Sequence, residues 1–371
     1  MDKTLVYLVT GGCGFIGEHI VELLCKQDYI SEVRVFDSMA SEEVKKFATA
    51  STCVTVMKGD IRDYALLLFA MRGVHLVIHT AGIVDIMDLV PFRDMEAVNV
   101  AGTENVLKAC CALSIPFLVY TSSIAAVGPN TRREPMLRGT EDTKYTGEVE
   151  LPYGKTKAMA EKLVLEANGK ELSNGGKLAT CIIRPNTVYG EKYQRLKDLY
   201  TTVKAKGGLL NYIVREDTER NLIYVGNVAW MHVLAARNLQ LNPDVLAGQV
   251  YYSYDDTPAR KSYLVQYQLL TGIDPSIRLG SCIPYWKLRL LIYFYRIINI
   301  LLYPFWKPRP FLNLPVLNTI ITTFFYETDK AFRHFGYTPL YSWEESKRRT
   351  IAWLKSATMN LRAHQHHGKE M

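Results

Sequence analysis

The stretch LVYLVTGGCGFIG, residues 5–17, limits what this chain can fold into more than any other. Its first six residues form an apolar run of the kind found in strands buried on both faces, and they lead straight into a glycine turn. Beyond the turn, Ile20, Val21, Leu23 and Leu24 fall on one side of a helical projection, with Glu18, His19, Glu22 and Lys26 on the other. Gly11 allows the tight turn, Gly14 lets backbone approach a pyrophosphate, and Gly17 lets the helix lie close to the strand. The helix N-terminus then points free N–H groups at phosphate. The spacing is GxxGxxG, one residue longer at its first step than the common dinucleotide fingerprint. Asp37 closes the next strand, 20 residues beyond Gly17, where a ribose-binding acid belongs. The alternative is an ordinary strand–helix turn with a solvated acid.

The pattern continues. Residues 53–57, 76–82, 117–121 and 178–184 read as further apolar strands, separated by helical stretches that include one ending near Leu113 and one from Tyr153 to Leu172. Near-continuous apolar strands alternating with helices specify an α/β fold with a Rossmann-type, doubly wound parallel sheet and its ligand crevice at the carboxyl ends of the strands. Beyond Pro185 the alternation weakens, which points to a smaller C-terminal substrate lobe. The expected division is a nucleotide-binding domain over 1–185, a substrate lobe over 186–282, a hydrophobic segment over 283–306 and a helical region over 307–371. In the last, Ser342-Trp343-Glu344-Glu345 reads as a capping box, Thr328 as the cap of a short helix ending at Gly336, and His364, His366 and His367 as a fraying tail.

Residues 283–306, IPYWKLRLLIYFYRIINILLYPFW, differ in kind from the rest. As one helix they would extend about 36 Å, enough for a bilayer core of about 30 Å, although Lys287, Arg289 and Arg296 interrupt them. A membrane-associating segment, the wall of an apolar substrate pocket and a core helix are the three readings. Flanking Lys307 and Arg309, with Tyr285, Trp286, Tyr303, Phe305 and Trp306, fit the interfacial belt of a membrane segment.

Composition narrows the functional classes. With 48% hydrophobic and 22% charged residues the chain is globular. A net charge of +7 permits acidic surfaces, but no zinc-finger, zipper or aromatic–basic pattern supports nucleic acid as a partner. The seven cysteines have no metal-ligand spacing and read as small buried hydrophobes in a reducing compartment, so neither metal nor disulfide is expected. Met1-Asp2-Lys3-Thr4 is too short for a signal peptide, which leaves the nucleotide domain facing the cytosol.

Chemistry is expected at two places that the sheet would bring together. Thr121-Ser122-Ser123 ends a strand at the ligand edge. Some thirty residues on, Tyr153 and Lys157 stand at i and i+4 on one helix face. A neighbouring cation favours phenolate and would make Tyr153 a usable base nearer neutral pH.

These motifs carry a resemblance. TGGCGFIG, Asp37, GDIRD, HTAG, NVAGT, YTSS, YGKTK and RPNTVYGE are similar to those of extended short-chain dehydrogenases/reductases. VGPN, LVLEANG, YVGNVAWMHVLAAR, YYSYDDTP and HFGYTPLYSWEES narrow it to the 3β-hydroxysteroid dehydrogenase/Δ5–Δ4 isomerase family, over nearly the whole chain, leaning toward its type 7 branch, which acts on 7α-hydroxylated sterols in bile acid synthesis. Thr156 and Gly154 depart from the usual Ser and Pro without removing a reacting group. The resemblance implies Tyr153, Lys157 and Ser123 as the catalytic set, with Ser122 the rival serine. It implies a cofactor site built from Gly11, Gly14, Phe15, Ile16, Gly17, Asp37, Asp60, Ile61, Thr80, Ala81, Gly82, Asn99, Tyr153, Lys157 and Pro185. The cofactor is NAD, since Asp37 would repel a 2′-phosphate and Ser38 supplies no compensating cation. Tyr251, Tyr252, Asp255 and Asp256 fall in the segment tied to isomerisation, or else form a strand end and an acidic turn. The expected partners are a sterol or steroid and membrane lipid at the endoplasmic reticulum, with a homo-oligomer left open. A soluble nucleotide-sugar epimerase and a catalytically silent nucleotide-binding scaffold are the competing classes.

Overall fold

The computed structural model describes residues 5–87, 89–302 and 312–367, with side chains as far as Met359. The leader Met1–Thr4, the belt residues Tyr303, Phe305, Trp306, Lys307 and Arg309, and the side chains of the tail histidines lie outside the described residues. In chain order the elements that position the site are β1 (Leu5–Thr10), α1 (Phe15–Leu24), β2 (Ile30–Asp37), β3 (Cys53–Lys58), β4 (Leu76–His79), α2 (Thr103–Ala112), β5 (Phe117–Thr121), α3 (Pro152–Ala167), β6 (Ala179–Arg184), β7 (Thr187–Tyr189), β8 (Leu222–Tyr224), α4 (Val225–Leu241), β9 (Gln249–Tyr252), α5 (Tyr285–Leu302), α6 (Leu314–Ile321) and α7 (Trp343–His367).

Seven parallel strands make the central sheet, in the order β9-β6-β5-β4-β1-β2-β3. The strand order reverses between β1 and β4, so the crevice opens at the carboxyl ends of those two strands. Both sheet faces are covered. Ile20, Val21 and Leu24 of α1 and Ala229, Val233 and Ala236 of α4 pack on one face. Val106 and Leu107 of α2 and Ala160 and Val164 of α3 pack on the other. Each fully buried Val, Leu or Ile contributes about 1.5–3 kcal/mol, which is why the strands read as unbroken apolar runs.

Several expectations change. The seventh strand, β9, comes from residues expected in the substrate lobe, so the sheet is not confined to 1–185. Four residues behind Gly248 are too short to show a strand period, and the partner that buries them, β6, lies far away in sequence. The helix expected to reach Leu172 stops at Ala167, because Asn168 turns extended and Gly169 adopts φ +80°. The tail expected to fray continues α7 to His367, since no proline or glycine interrupts it before Gly368. Lys330–Phe335 does form a short helix closed by left-handed Gly336, but its N-cap is Asp329 in place of Thr328, whose Oγ1 accepts from the Lys330 N–H (3.2 Å) one residue further out.

Of the hydrophobic segment expected over 283–306, the described residues form an 18-residue helix, α5, and 303–306 lie outside them. It starts after Pro284 and spans about 27 Å. Among the described residues no helix is long and apolar enough to cross a membrane. α5 is two-faced. Leu288 is buried against Leu151, Leu312, Val316 and Leu317, while Trp286, Leu290, Phe294, Ile297, Ile300 and Leu301 are exposed.

Candidate active site

The glycine turn of β1–α1 is built as a cradle. Gly11 sits at φ +71°, and a Cβ on Gly17 would lie 2.1 Å from the Gly11 carbonyl oxygen, so a side chain there forces helix and turn apart. Gly14, in extended conformation, precedes α1 and supplies no side-chain cap. Helical bonding begins with the Glu18 N–H donating to Gly14 O (3.0 Å), which leaves the N–H groups of Phe15, Ile16 and Gly17 ahead of it for a phosphate. The Asp37 carboxylate stands beside the turn, accepting from the Cys13 N–H (2.9 Å) and the Met39 N–H (2.8 Å). An acid at the end of the second strand, next to a side-chain-free turn, fits the ribose end of a dinucleotide. Asp60, two residues beyond β3, forms an ion pair with Arg62 (2.6 Å) that holds its carboxyl below the usual range. Ile61 beside it is buried against Gly102.

Behind the cradle the segment after β4 is tied to α3. The Thr80 hydroxyl donates to Thr10 O (2.7 Å), and the Ala81 N–H lies against Gly11. A Cβ on Gly82 would lie 3.4 Å from Lys157 Nζ, which shows how closely that backbone passes the lysine. Asn99 lies in a π-helical turn, Ala97–Gly102, of the kind often found at functional sites. Its Oδ1 accepts from the Ile83 N–H (2.7 Å), and its Nδ2 donates to Ile83 O and Thr156 Oγ1 (both 3.0 Å). Pro185 is reached from the other side, where its carbonyl accepts from the Ile124 N–H (2.8 Å).

Tyr153 and Lys157 both face inward. Tyr153 is 6% exposed and Lys157 4%. Lys157 Nζ donates to Thr121 O (2.9 Å) and reaches the Tyr120 hydroxyl (3.3 Å), which ties α3 to the end of β5. Burial pushes the Tyr153 phenol up to about 12, and a hydrogen bond with Ser123 works the other way. Burial brings Lys157 down to about 8, opposed by the Glu161 carboxylate. The expected pull of Lys157 on the phenol is not seen in this state: its Nζ is turned to Tyr120 and Thr121, and burial and Ser123 set the phenol's position.

The two serines separate. Ser123 lies on the Tyr153 side, where it lowers the phenol's pKa, and its hydroxyl accepts from the Ala125 N–H (3.1 Å). Ser122 points the other way, as neighbours on an extended backbone do, and its hydroxyl donates to Glu161 Oε2 (2.7 Å). Glu161 and Arg184 were not singled out as site residues in the sequence. Glu161 stands one turn beyond Lys157, at the next i+4 step from Tyr153, and its carboxylate is paired with Arg184. That i, i+4, i+8 spacing was the available signal.

Asp255 does not belong to this group. Its carboxylate accepts from the Tyr224 N–H (2.8 Å), Asn227 Nδ2 (3.0 Å) and the Thr257 N–H (2.9 Å), bracing the start of α4. Burial raises its pKa and those three donors lower it. Three fixed donors fit the second of the two readings of this segment, an acid that braces a turn. Asp256 next to it is exposed. Tyr251 and Tyr252 are buried, Tyr251 against His334 (3.0 Å) and Tyr252 beneath Arg184 (5.5 Å from its ring).

The family model described as 3-beta hydroxysteroid dehydrogenase/isomerase family matches residues 8–285. Human 3 beta-hydroxysteroid dehydrogenase type 7 is 44% identical over 96% of this chain and 97% of its own. The vaccinia virus 3 beta-hydroxysteroid dehydrogenase/Delta 5-->4-isomerase is 36% identical over 95% and 99%. Among solved structures, the dTDP-glucose 4,6-dehydratase DesIV of Streptomyces venezuelae, with NAD and TYD bound, superposes with TM-score 0.69 at 20% identity, covering 95% of this chain and 97% of that one. MoeE5 in complex with UDP-glucuronic acid and NAD gives 0.67 at 17%, covering 95% and 99%. At such identities these two show a shared fold.

Proposed function

The chain belongs to the 3-beta hydroxysteroid dehydrogenase/isomerase family, and we propose that it oxidises the 3β-hydroxyl of a Δ5 sterol to the ketone, on 7α-hydroxylated sterols of bile acid synthesis. The observation that carries this reading is the burial of Tyr153 and Lys157 on one face of α3, with Lys157 Nζ tied to Thr121 O at the strand end that leads into Ser123, next to the glycine cradle. The cofactor is NAD, held through the first-turn N–H groups of α1, Asp37 and the Thr80–Gly82 backbone. When bound, it accepts the hydride from carbon 3. Ser123 orients the substrate hydroxyl, Tyr153 takes its proton, and Lys157 supplies the positive charge that favours phenolate. Asn99 holds the backbone after β4 against α3, so cofactor and base keep one register.

Δ5–Δ4 isomerisation belongs to the same proposal. Asp255 is occupied by its three donors, which leaves Asp256 as the acid of that pair free to exchange a proton. Full-length protein supplied with NAD and either a 3β-hydroxy-Δ5 sterol or a UDP-sugar decides the substrate class. Growth of conjugated-enone absorbance supports oxidation with isomerisation, and turnover of the UDP-sugar alone overturns the reading.

Asp37 makes a further expectation. NAD should be used more efficiently than NADP, and Asp37→Ala should narrow the difference in kcat/KM by roughly tenfold or more, through loss of a charge-assisted hydrogen bond and of repulsion toward a 2′-phosphate. A wild-type preference for NADP would remove Asp37 from this role.

The exposed face of α5 suits an interfacial helix on the endoplasmic reticulum membrane, with the nucleotide domain in the cytosol. Apolar side chains lie next to exposed Lys287, Arg289 and Arg296. The Leu290→Glu/Phe294→Glu/Ile297→Glu variant should lose most co-sedimentation with anionic vesicles while keeping its folded circular dichroism. Unchanged co-sedimentation would take the membrane contact away from α5.

A further inference from the structure

Arg220 lies two residues ahead of β8. Its guanidinium carries five N–H donors in a planar fork. Nη1 donates to the carbonyl oxygen of Thr319 in α6, and the backbone N–H donates to Ala259 O (3.2 Å). Among the described residues no carboxylate comes within ion-pair distance of it. The adjacent Glu219 is taken by Arg260, and Glu150, which also reaches α6, is engaged by Asn318 (3.2 Å). Burial alone draws the Arg220 pKa down to about 10. Arg220 is half-buried, and a guanidinium drawn partly out of water is commonly paired with an acid.

Thr319 adds an independent observation at the same place. It is 8% exposed, and its hydroxyl has no partner. A helix threonine normally bonds back to the carbonyl four residues earlier. Here the hydroxyl bonds neither to the Pro315 carbonyl nor to any other described group. A cation lacking a counter-ion and an unsatisfied hydroxyl thus meet at one helix residue.

Their surroundings tie them to the site. The neighbours of Thr319 on α6, Val316, Leu317 and Ile320, belong to the apolar cluster that also holds Leu288 of α5 and Leu151. Leu151 is the residue immediately before α3, two ahead of Tyr153. One apolar cluster therefore joins the start of the Tyr153 helix to the helix that Arg220 touches.

We propose that Arg220 and Thr319 anchor a carboxylate on the side chain of the sterol, so that the preferred substrate is an anionic sterol acid with its rings along this cluster. The inference rests on the reading above that Tyr153 oxidises a sterol hydroxyl. The planar guanidinium fork matches a carboxylate through two parallel hydrogen bonds.

The test compares 3β,7α-dihydroxychol-5-en-24-oic acid with its methyl ester on the full-length protein with NAD. Wild type should show a KM for the acid at least about tenfold below that for the ester, the size of a charged hydrogen bond. Arg220→Gln should raise the acid KM by about 10–100-fold and leave ester turnover within about twofold, with Arg220→Lys recovering part of the loss. Binding of the acid, followed by tryptophan fluorescence, is a readout independent of turnover. Equal KM values for acid and ester in wild type, an Arg220→Gln loss that falls equally on both, or acid binding indifferent to Arg220 overturns the anchor. Turnover of neither compound, with Arg220-dependent binding of the acid, keeps the anchor and overturns the oxidation instead.

Discussion

Tyr153→Phe should lower kcat for sterol oxidation by about 10²–10⁴, the usual worth of a positioned acid–base group, while NAD binding stays within about twofold. The substitution removes one oxygen from a side chain that is 6% exposed, so the ring still fills its place in α3. The loss should appear in kcat and kcat/KM together, as for an interaction made only as the proton leaves. The pH profile of wild type carries the same information. Burial holds the free phenol up at about 12. The phenolate fraction, and with it kcat/KM, should therefore climb as pH rises from neutral. Lys157, drawn down to about 8 by burial, loses its charge above that value and should bend the climb over. Tyr153→Phe should abolish the slope. A variant with wild-type kcat and the wild-type profile would remove the phenol from the mechanism.

Much of this arrangement was legible because its causes are local. The glycine turn, the acid closing β2 and the pairing of Tyr153 with Lys157 depend on spacings within one strand or one helix, and the structure places them at a single crevice. What could not be read depends on contacts distant in sequence. β9 becomes a sheet strand only because β6 offers an edge, nearly seventy residues earlier. Ser122 and Ser123 look alike in sequence, and the carboxylate that claims one of them sits on α3. Asp255 looked as free as Asp256 until three donors from the start of α4 and from Thr257 met its carboxylate. The apolar run over 283–306 has the composition of a membrane span. Its inner side is used by Leu151 and α6, which no periodicity in the run itself reveals.

Glu161→Leu should destabilise the protein by about 3–5 kcal/mol, the loss expected when a buried ion pair is broken from one side. The Glu161 side chain is 7% exposed and that of Arg184 14%. Its carboxylate accepts from Arg184 Nε (2.9 Å) and from the Ser122 hydroxyl (2.7 Å). Without it, a guanidinium at the end of β6 and a hydroxyl at the end of β5 are left buried with partners missing. The Arg184 ring contact with Tyr252, at 5.5 Å, cannot replace a carboxylate. Function should suffer by a second route. The Glu161 carboxylate is what opposes burial at Lys157, so its removal draws the lysine pKa below about 8 and shifts the upper limb of the oxidation profile to lower pH. The double variant Glu161→Leu/Arg184→Met separates the two effects. Taking out both charges should recover most of the lost stability, whereas the displaced pH limb should persist, because Lys157 still lacks its carboxylate. Denaturant unfolding of both variants, with pH–rate profiles alongside, checks each part. A single variant as stable as wild type would show that the pair does not hold β5, β6 and α3 together. A double variant as unstable as the single one would trace the loss to packing, with the orphaned guanidinium contributing little.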